Sequence, residues 1–421
     1  MKFNEFNLHP SVLEGIEALG YEEATPVQDL AIPAILEGRD LLASAQTGTG
    51  KTAAFLLPII HKIITAEEHQ TLKALVIVPT RELAVQIDQH MEGLSYYSHV
   101  TSIAVYGGND GATFSREKMA LTEGADMVVC TPGRMLSHLN MGYVNTEGLR
   151  YLILDEADRM LDMGFFDDIM KILSYLPPNR QNLLFSATLP PRIRELSKKI
   201  LHNPAEINIA VSKPAERILQ AAYVLYEKQK IPFVVQLLAR NPLRSILVFC
   251  STKIKAKDLS RELKKRGFSA DDIQSDLDQT SRENVLNDFK SRKLSILVAT
   301  DILSRGIDIE DIDLIINYDV PNDGEDYIHR IGRTARAQSD GVALTFIGEG
   351  EQRKFAAIEE LLGSPVYKDR IPAELGETPE YNPGKRAPSG GRRSDSRNRN
   401  SRSPNAGGSR NNFSRGRSKP S

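Results

Sequence analysis

Short apolar runs rich in β-branched residues recur along the chain and alternate with segments of helical periodicity. Strands that are apolar at every position are typical of parallel sheets whose two faces are both covered by helices. The pattern therefore predicts an α/β protein built on parallel sheets. The predicted strands of the first series are 40–44, 74–78, 102–106, 126–130, 151–154 and 182–185, and those of the second series are 245–250, 295–299, 314–318 and 342–347.

The two series of strands predict two tandem domains, each with its own parallel sheet. Pro214 and its polar neighbours separate the series and mark a short linker. From about residue 381 onward the chain has no periodicity and consists mainly of Gly, Ser, Asn, Pro and Arg, a composition that cannot bury a core. We expect a first domain over 1–210 with a lead-in over 1–29, a linker over 211–220, a second domain over 221–368 and a disordered tail over 369–421.

Charge is distributed unevenly along the 421 residues. The formal net charge is only −2, but residues 381–421 carry eleven Lys and Arg and a single acid, Asp395, so the rest of the chain is acidic. A basic tail on an acidic body indicates a polyanionic partner for the tail. The alternative is a disordered end that only aids solubility.

Neither membrane insertion nor disulfide chemistry is indicated. No apolar run approaches 18 residues, and the N-terminus lacks the pattern of a signal peptide. The two cysteines, Cys130 and Cys250, end apolar runs far apart in sequence. We therefore expect buried, inert thiols in a reducing compartment, and a cytoplasmic protein without membrane contact.

A glycine-containing segment at 45–52 lies between a predicted strand and a predicted helix. Gly48 and Gly50 allow the backbone to turn so that its N–H groups point at a phosphate chain. Lys51 can reach the β and γ phosphates, and the Thr52 hydroxyl can bind Mg²⁺. The alternative is an ordinary surface loop. The expected nucleotide contacts here are Ala45, Gln46, Thr47, Gly48, Thr49, Gly50, Lys51 and Thr52.

An acidic segment, Asp155-Glu156-Ala157-Asp158, follows directly after the predicted strand 151–154. A carboxylate beside a phosphate loop can hold Mg²⁺ through water, and Asp155 suits that role. Glu156 is placed to accept a proton from an attacking water as a general base. Asp158 can tie this loop to another segment. Taken alone, the same residues also fit a solvated acidic turn.

These two segments together resemble the DEAD-box family of ATP-dependent RNA helicases, and further motifs of that family follow in order between about residues 3 and 365. The resemblance implies two tandem RecA-like domains, ATP and Mg²⁺ as cofactors, and RNA as partner. Segment 20–28 resembles the adenine-recognising motif, in which Gln28 would bind the base and Phe3 and Tyr21 would pack near it. Segment 159–165 is similar to the bacterial RhlE-like branch.

The resemblance also implies roles for motif residues that single patterns leave open. Thr80 and Thr131, for example, are equally good helix N-caps. The implied RNA contacts are Pro79, Thr80, Arg81, Gly108, Thr131, Pro132, Gly133 and Arg134 in the first domain and Thr252, Thr300 and Asp301 in the second. The implied coupling residues are Asp158, Ser186, Thr188 and His329, and the second-domain nucleotide contacts are Gly306 and Asp308. The chain departs from the family pattern at Ala24, Gln274, Ser275 and Ala335.

Arg333 and Arg336 resemble the arginine fingers of the family, which stabilise charge on the transferring phosphate. Their i, i+3 spacing would place both on one face of a helix. A basic amphipathic helix is the alternative interpretation.

Fingers in the second domain and a phosphate loop in the first imply that domain closure completes the active site. RNA would lie across both domains through its sugar-phosphate backbone. We expect RNA-stimulated ATP hydrolysis coupled to local, non-processive unwinding of short duplexes by a monomer. Ribosome assembly or RNA turnover is the implied setting, with ribosomal precursors or RNA-decay proteins as partners. The alternatives are an ATP-gated RNA clamp with little unwinding and a DNA-directed motor of the same superfamily.

Overall fold

The computed structural model of the protein carries two parallel sheets with helices on both faces of each. It describes residues 1–45, 48–66, 72–107, 111–209, 218–240, 243–274, 276–300, 312–322, 324–334 and 341–384. We call residues 1–209 the first lobe and residues 218–384 the second lobe. The predicted α/β fold with two tandem parallel-sheet domains is confirmed.

The first sheet has the order β3-β4-β2-β5-β6-β1-β7, and every pairing in it is parallel. Its strands are β1 Leu41–Ser44, β2 Ala74–Ile77, β3 Ser102–Val105, β4 Met127–Cys130, β5 Tyr151–Leu154, β6 Gln181–Ser186 and β7 Ala205–Asn208. The helices of this lobe are α1 Pro10–Ala18, α2 Pro26–Leu36, α3 Lys51–Thr65, α4 Arg81–Leu94, α5 Gly111–Glu123, α6 Pro132–Asn140, α7 Ala157–Asp162, α8 Phe166–Leu173 and α9 Pro191–Ile200.

The second sheet repeats this arrangement with the order β10-β11-β9-β12-β13-β8-β14. Its strands are β8 Ile218–Val224, β9 Ile246–Cys250, β10 Ala270–Ile273, β11 Ile296–Thr300, β12 Leu314–Asn317, β13 Gly341–Ile347 and β14 Tyr367–Asp369. The helices of this lobe are α10 Glu227–Arg240, α11 Lys253–Lys265, α12 Gln279–Lys290, α13 Gly324–Ile331 and α14 Gln352–Leu362.

Successive residues of the central strands enter different cores, which explains their continuous apolar pattern. In β2, Val76 packs in the core on one face of the first sheet, and Leu75 and Ile77 pack in the core on the other face. All three side chains are fully buried. A strand covered on both faces cannot alternate polar with apolar residues.

The second lobe extends further at both ends than the sequence indicated. Strand β8 begins at Ile218, inside the expected linker, and pairs with β13 along its whole length. Residues 369–384, expected to belong to a disordered tail, pack on the lobe: Gln229 Nε2 donates to the carbonyls of Leu375 at 2.8 Å and Glu377 at 2.9 Å. The Tyr381 hydroxyl donates to Glu359 at 2.6 Å. These hydrogen bonds, together with Ile371, Leu375 and Tyr381 packed against the cores of the lobe, order a segment whose composition is polar.

No helix in the described part of the chain is long and apolar enough to cross a membrane. Cys130 and Cys250 are both buried thiols, as expected, and burial raises the pKa of each. Residues 211–217 of the expected linker and 385–421 of the tail lie outside the described residues.

Candidate nucleotide and RNA sites

The phosphate loop leaves β1 and ends at the first turn of α3. Gly48 and Gly50 have φ angles of 83° and 92°, a region that favours glycine. Lys51 is the first residue of α3 and is 6% exposed, and its Nζ has no hydrogen-bond partner among the described residues. A buried, unpartnered ammonium at a helix N-terminus is a strong site for an anion. Gln46 and Thr47 lie outside the described residues.

Gln28 connects the start of α2 to the phosphate loop. Its Oε1 accepts the N–H of Thr25 at 2.9 Å, and its Nε2 donates to the carbonyl of Gly50 at 3.1 Å. A Cβ on Gly50 would come within 2.5 Å of Gln28 Nε2, so the contact requires glycine. The amide therefore positions the loop, and its second N–H and second lone pair are the ones that a base could use.

Phe3 and Tyr21, the two aromatic residues expected near the base, lie next to each other. Phe3 is buried in the core of the first lobe, and its ring centroid is 6.4 Å from that of the partly exposed Tyr21. An isolated antiparallel β-bridge between the backbones of Lys2 and Glu23, and a hydrogen bond from Ala24 N–H to the Met1 carbonyl, hold the N-terminus against this loop.

The acidic segment follows β5, two strands away from β1 in the sheet. Asp155 is 3% exposed, and its Oδ1 accepts the N–H of Glu156 at 2.9 Å. Burial raises the pKa of Asp155 to about 6, although the Lys51 ammonium opposes the shift. Glu156 adopts a left-handed backbone with φ of 52°, which turns the chain sharply into α7. This is the edge of a parallel sheet at which ligands bind.

Arg159 binds the carboxylate of Glu156 one helical turn away. Burial acts to raise the pKa of Glu156, but Arg159 and then Lys51 outweigh it, and the net shift is downward. Glu156 therefore stays ionised and oriented at neutral pH. Sequence reasoning did not include Arg159 in the site, although the i, i+3 spacing of an acid and a base was visible.

Asp158 joins the acidic segment to the segment after β6. Its Oδ2 accepts the N–H of Ala187 at 3.1 Å and that of Thr188 at 3.0 Å. Ser186 is fully buried, and its carbonyl accepts the N–H of Ala45 at 3.0 Å. A continuous path of hydrogen bonds thus runs from the acidic segment to the base of the phosphate loop.

Helix α13 of the second lobe faces this site. Burial, then the Lys51 ammonium and Arg333, lower the pKa of His329 to about 3, against an opposing effect of Glu156. Arg333 in turn contributes to the lowered pKa of Glu156. His329 and Arg333 thus lie within electrostatic range of Lys51 and Glu156, so charged groups of the two lobes act on one another at this site.

Arg333 does not lie on a helix, contrary to the expectation from its spacing with Arg336. Helix α13 ends at Ile331, and the N–H groups of Arg333 and Thr334 bond to carbonyls three residues back, at 3.2 and 3.1 Å. The Thr334 hydroxyl donates to the carbonyl of Ile312. Arg336, Gly306 and Asp308 lie outside the described residues.

Arg330 fixes α13 to the second sheet, a role that the sequence did not reveal. It is 4% exposed, and its Nη1 donates to Asn317 Oδ1 at 3.0 Å and to the Asp319 carbonyl at 3.2 Å. Its guanidinium lies 5.0 Å from the centroid of the Phe249 ring. The orientation of His329 and Arg333 therefore depends on β12 and β9.

The residues implied as RNA contacts lie at the carboxyl ends of strands in both sheets. Thr80 and Thr252 act as N-caps, accepting the N–H of Leu83 and of Lys255 at 3.3 Å each. Thr131 makes no such side-chain bond at the start of α6. Pro79, Pro132, Gly133 and Thr300 also lie at these strand ends and helix starts, whereas Gly108 and Asp301 lie outside the described residues.

Arg134 is engaged inside the first lobe. Its Nε donates to Glu117 Oε2 at 2.7 Å, and Glu117 is 1% exposed. The resemblance implied Arg134 as an RNA contact, and the ion pair with Glu117 engages part of its guanidinium inside the lobe.

An ion pair between Glu82 and Arg282 joins α4 of the first lobe to α12 of the second. Both side chains are about nine-tenths buried. Burial and then Arg282 lower the pKa of the neighbouring Arg81, so this cationic side chain also lies at the junction of the lobes.

The residues of this site suit a nucleotide bound together with Mg²⁺ better than a metal ion held by protein ligands alone. The described residues contain no group of three or more His, Cys, Asp or Glu that could hold a metal ion. Mg²⁺ commonly uses one or two carboxylates, substrate phosphates and water. Thr52 at the start of α3 and the buried Asp155 offer that set, and the unpartnered Lys51 offers the charge for a phosphate.

The first lobe carries a phosphate loop and an acidic segment, and the second lobe contributes an arginine. This combination is typical of two-lobed, nucleotide-hydrolysing motor proteins. Residues 25–196 match the DEAD/DEAH box helicase family, and residues 229–338 match the helicase conserved C-terminal domain. The chain is 44% identical over 382 residues to the ATP-dependent RNA helicase CshA of Listeria monocytogenes, covering 89% of this chain and 72% of that protein. The chain belongs to the DEAD-box family.

Further similarities agree with this assignment. The DEAD-box ATP-dependent RNA helicase CshA of Geobacillus kaustophilus is 40% identical over 85% of this chain and 76% of its own length. The structure of S. cerevisiae Dbp5 bound to RNA and ADP BeF3 matches with a TM-score of 0.79 at 29% identity, covering 89% of this chain and 96% of that one. Mss116 bound to ssRNA and UDP-BeF matches with a TM-score of 0.78 at 27% identity, covering 89% and 81%.

Both of these bacterial relatives are named CshA. They do not support the RhlE-like branch that segment 159–165 suggested.

Proposed function

We propose that this protein is an ATP-dependent RNA helicase that couples RNA-stimulated ATP hydrolysis to local unwinding of short duplexes. The observation that carries the proposal is the shared polar site: Lys51 is buried without a hydrogen-bond partner among the described residues, and its charge acts on His329 of the other lobe, as does that of Arg333. The relatives named as ATP-dependent RNA helicases and the RNA-bound structural neighbours support it.

In this proposal the phosphate loop and the acidic segment bind ATP. Lys51 and the N–H groups of the loop hold the phosphates, and Gln28 holds the loop while its remaining hydrogen-bonding capacity recognises adenine. Thr52 and Asp155 would hold Mg²⁺, which neutralises phosphate charge when bound. Glu156 takes the proton of the attacking water, and Arg333, with Arg336, stabilises charge on the transferring phosphate.

RNA would lie along the strand ends of both lobes. Backbone N–H groups, helix N-termini and hydroxyls contact the sugar-phosphate backbone without reading bases. The Glu82–Arg282 pair supports this arrangement because it joins α4, which begins at the proposed RNA contact Arg81, to α12 of the second lobe. Bound RNA would therefore favour the same closed arrangement of lobes that completes the ATP site.

The direct experiment compares wild type with Glu156→Gln. Wild type is expected to hydrolyse ATP faster with RNA than with DNA and to displace one strand of a short RNA duplex. Glu156→Gln is expected to bind ATP and RNA but to release RNA more slowly than wild type, because hydrolysis no longer resets the open state. Faster release would contradict the mechanism. Stimulation by RNA without strand displacement would instead identify an ATP-gated clamp.

We propose that the basic tail binds RNA without sequence preference. The tail carries almost all its charge as Lys and Arg, and such contacts release counterions from nucleic acid. Deletion of residues 385–421 leaves the packed residues up to Gly384 in place. It is expected to weaken RNA binding and to flatten its dependence on salt concentration. An unchanged salt slope would show that the tail does not contact the backbone.

The remaining expectations are proposals of the same kind. We take the protein to be a cytoplasmic monomer with a CshA-like role in which ribosomal precursors or RNA-decay proteins are partners. The functional division would be a first domain to about 210, a short linker, and a second domain that reaches Gly384 rather than 368. Sequencing of RNA crosslinked to Glu156→Gln in cells tests the pathway.

A further inference from the structure

A buried carboxylate, Glu117, lies behind the segments that we propose as RNA contacts of the first lobe. It belongs to α5 and is 1% exposed. Its Oε1 accepts the N–H of Tyr106, directly after β3, at 3.3 Å. Its Oε2 accepts the Nε–H of Arg134, in the first turn of α6, at 2.7 Å. One carboxylate therefore joins two segments that follow neighbouring strands.

A histidine and two aromatic rings complete this cluster. His138 Nε2 lies 3.0 Å from Glu117 Oε2, and His138 Nδ1 bonds to the Tyr143 hydroxyl. Both ring nitrogens of His138 are therefore engaged, one by the carboxylate and one by the hydroxyl. The Phe114 ring stacks on His138 at 4.6 Å, and the Arg134 guanidinium lies 4.6 Å from the same ring centroid.

The cluster uses the charge of Arg134 internally. Besides the Nε bond, Arg134 Nη2 lies 2.6 Å from Glu117 Oε2. The pair is mostly buried, so removal of either partner would leave an uncompensated charge. The groups left for a ligand are those at the start of α6, where the Thr131 hydroxyl makes no cap bond and Gly133 is exposed.

We propose that Glu117 is a positioning residue for RNA binding, which holds the segment after β3 and the N-terminus of α6 in one arrangement. Arg134 acts through Glu117 and does not contact phosphate itself. The inference rests on the proposed function, which is RNA binding at this surface. It adds Glu117, a residue that supports binding without contacting RNA. Misplacement of the helix N-terminus weakens binding because its N–H groups and hydroxyl must meet the backbone together.

The test compares Glu117→Gln with Glu123→Gln, the same change at an exposed position on the same helix. Glu117→Gln is expected to raise the RNA concentration for half-maximal ATPase stimulation about tenfold, which corresponds to the loss of one charge-assisted contact. The KM for ATP at saturating RNA is expected to stay within about twofold of wild type, because the cluster lies away from the phosphate loop.

Two results would overturn the positioning role. One is RNA binding by Glu117→Gln as tight as that by Glu123→Gln. The other is a joint loss of thermal stability, ATP affinity and RNA affinity in Glu117→Gln, which would make Glu117 a purely structural residue. Wild type without any RNA stimulation is a distinct outcome that contradicts the proposed function instead.

The salt dependence of RNA binding tests the role of Arg134. Arg134→Gln is expected to weaken binding without changing the slope of log affinity against log salt concentration, and the double variant with Glu117→Gln is expected to bind no more weakly than the weaker single variant. A slope smaller by about 0.7 would reveal a lost phosphate contact on single-stranded RNA and would overturn this part.

Discussion

The charged side chains of the phosphate site are buried. Lys51 Nζ has no hydrogen-bond partner among the described residues, and burial raises the pKa of Asp155 to about 6. Such groups are costly in the folded state unless a partner compensates them. The surrounding fold must therefore supply the stability that holds them, and a nucleotide that pairs with Lys51 recovers part of that cost.

Glu156 is the exception, because Arg159 pairs with it. We expect Arg159→Gln to slow ATP turnover at saturating RNA by about 10- to 100-fold, since the carboxylate loses the partner that orients it. Arg159→Lys is expected to recover part of the rate. Arg150→Gln, at an exposed position in the same lobe, is the control and should hydrolyse ATP as wild type does. Wild-type turnover in Arg159→Gln would show that the ion pair has no role.

Local sequence was sufficient for residues whose chemistry lies within one short segment. Lys51, Asp155 and Glu156 could be proposed because each belongs to a recognisable pattern of consecutive residues at a loop or a strand end. The bonds from Gln28 to Gly50 and from Glu117 to Arg134 join residues 22 and 17 positions apart. One sequence carries no signal of such pairs.

At the scale of elements, the two sheets place an aspartate after equivalent strands but surround it with different partners. Asp319 follows β12 as Asp155 follows β5, and the two strands hold the same place in the sheet order. In the second lobe, Lys230 is fully buried and lies 3.0 Å from Asp319 and 3.4 Å from Glu351. Asp319 is thus neutralised within its own lobe, whereas Lys51, which acts on Asp155, has no hydrogen-bond partner among the described residues.

The pairing of Asp319 predicts a defined dependence of stability on pH. Burial alone would raise its pKa, but Lys230, Lys255 and Ser251 lower it to about 2, below the usual 3.8. The pairing therefore stabilises the fold above about pH 4, and its contribution is lost as the pH falls from there towards 2. Asp319→Asn should lower the free energy of unfolding at pH 7 by about 3–5 kcal/mol.

Urea unfolding at pH 7, 4 and 3 measures this effect, with exposed Asp288→Asn as control. The deficit of Asp319→Asn is expected to be similar at pH 7 and 4 and smaller at pH 3. A deficit that is already lost at pH 5 would mean that Asp319 titrates normally.

Most strands that the sequence revealed are buried at nearly all positions, and β3 is the exception, an edge strand with alternating burial. The missed strands are β7, β8, β10 and β14, and polar residues interrupt them: β10 reads Ala-Asp-Asp-Ile, and β7 alternates buried with exposed positions. Three of the four, β7, β10 and β14, lie at the edges of their sheets and pair on one side only. Hydrophobic runs identify buried strands, whereas strands that carry polar residues depend on pairing that no local pattern encodes.

At the scale of the whole molecule, contacts between the lobes connect the ATP site with the surface proposed for RNA. His329 and Arg333 face Lys51 and Glu156, and the Glu82–Arg282 pair joins α4 to α12. The high TM-scores with RNA-bound Dbp5 and Mss116 indicate a similar arrangement of the two lobes.

Charge exchange tests the contribution of Glu82 and Arg282. Glu82→Arg and Arg282→Glu should each raise the RNA concentration for half-maximal ATPase stimulation about tenfold, because like charges then meet in a mostly buried position. The double variant is expected to recover at least half of the loss on a logarithmic scale. Losses that simply add in the double variant would exclude a direct interaction.

Whether the two lobes share one active site is tested most directly by the rate at which Arg333→Gln hydrolyses ATP at saturating RNA. Turnover is expected to fall by about a thousandfold, as for other arginine fingers, with ATP and RNA still bound. Arg370→Gln, at an exposed position in the same lobe, is the matched control. Hydrolysis by Arg333→Gln within a few-fold of wild type would contradict the shared site, because the first lobe would then hold a complete active site.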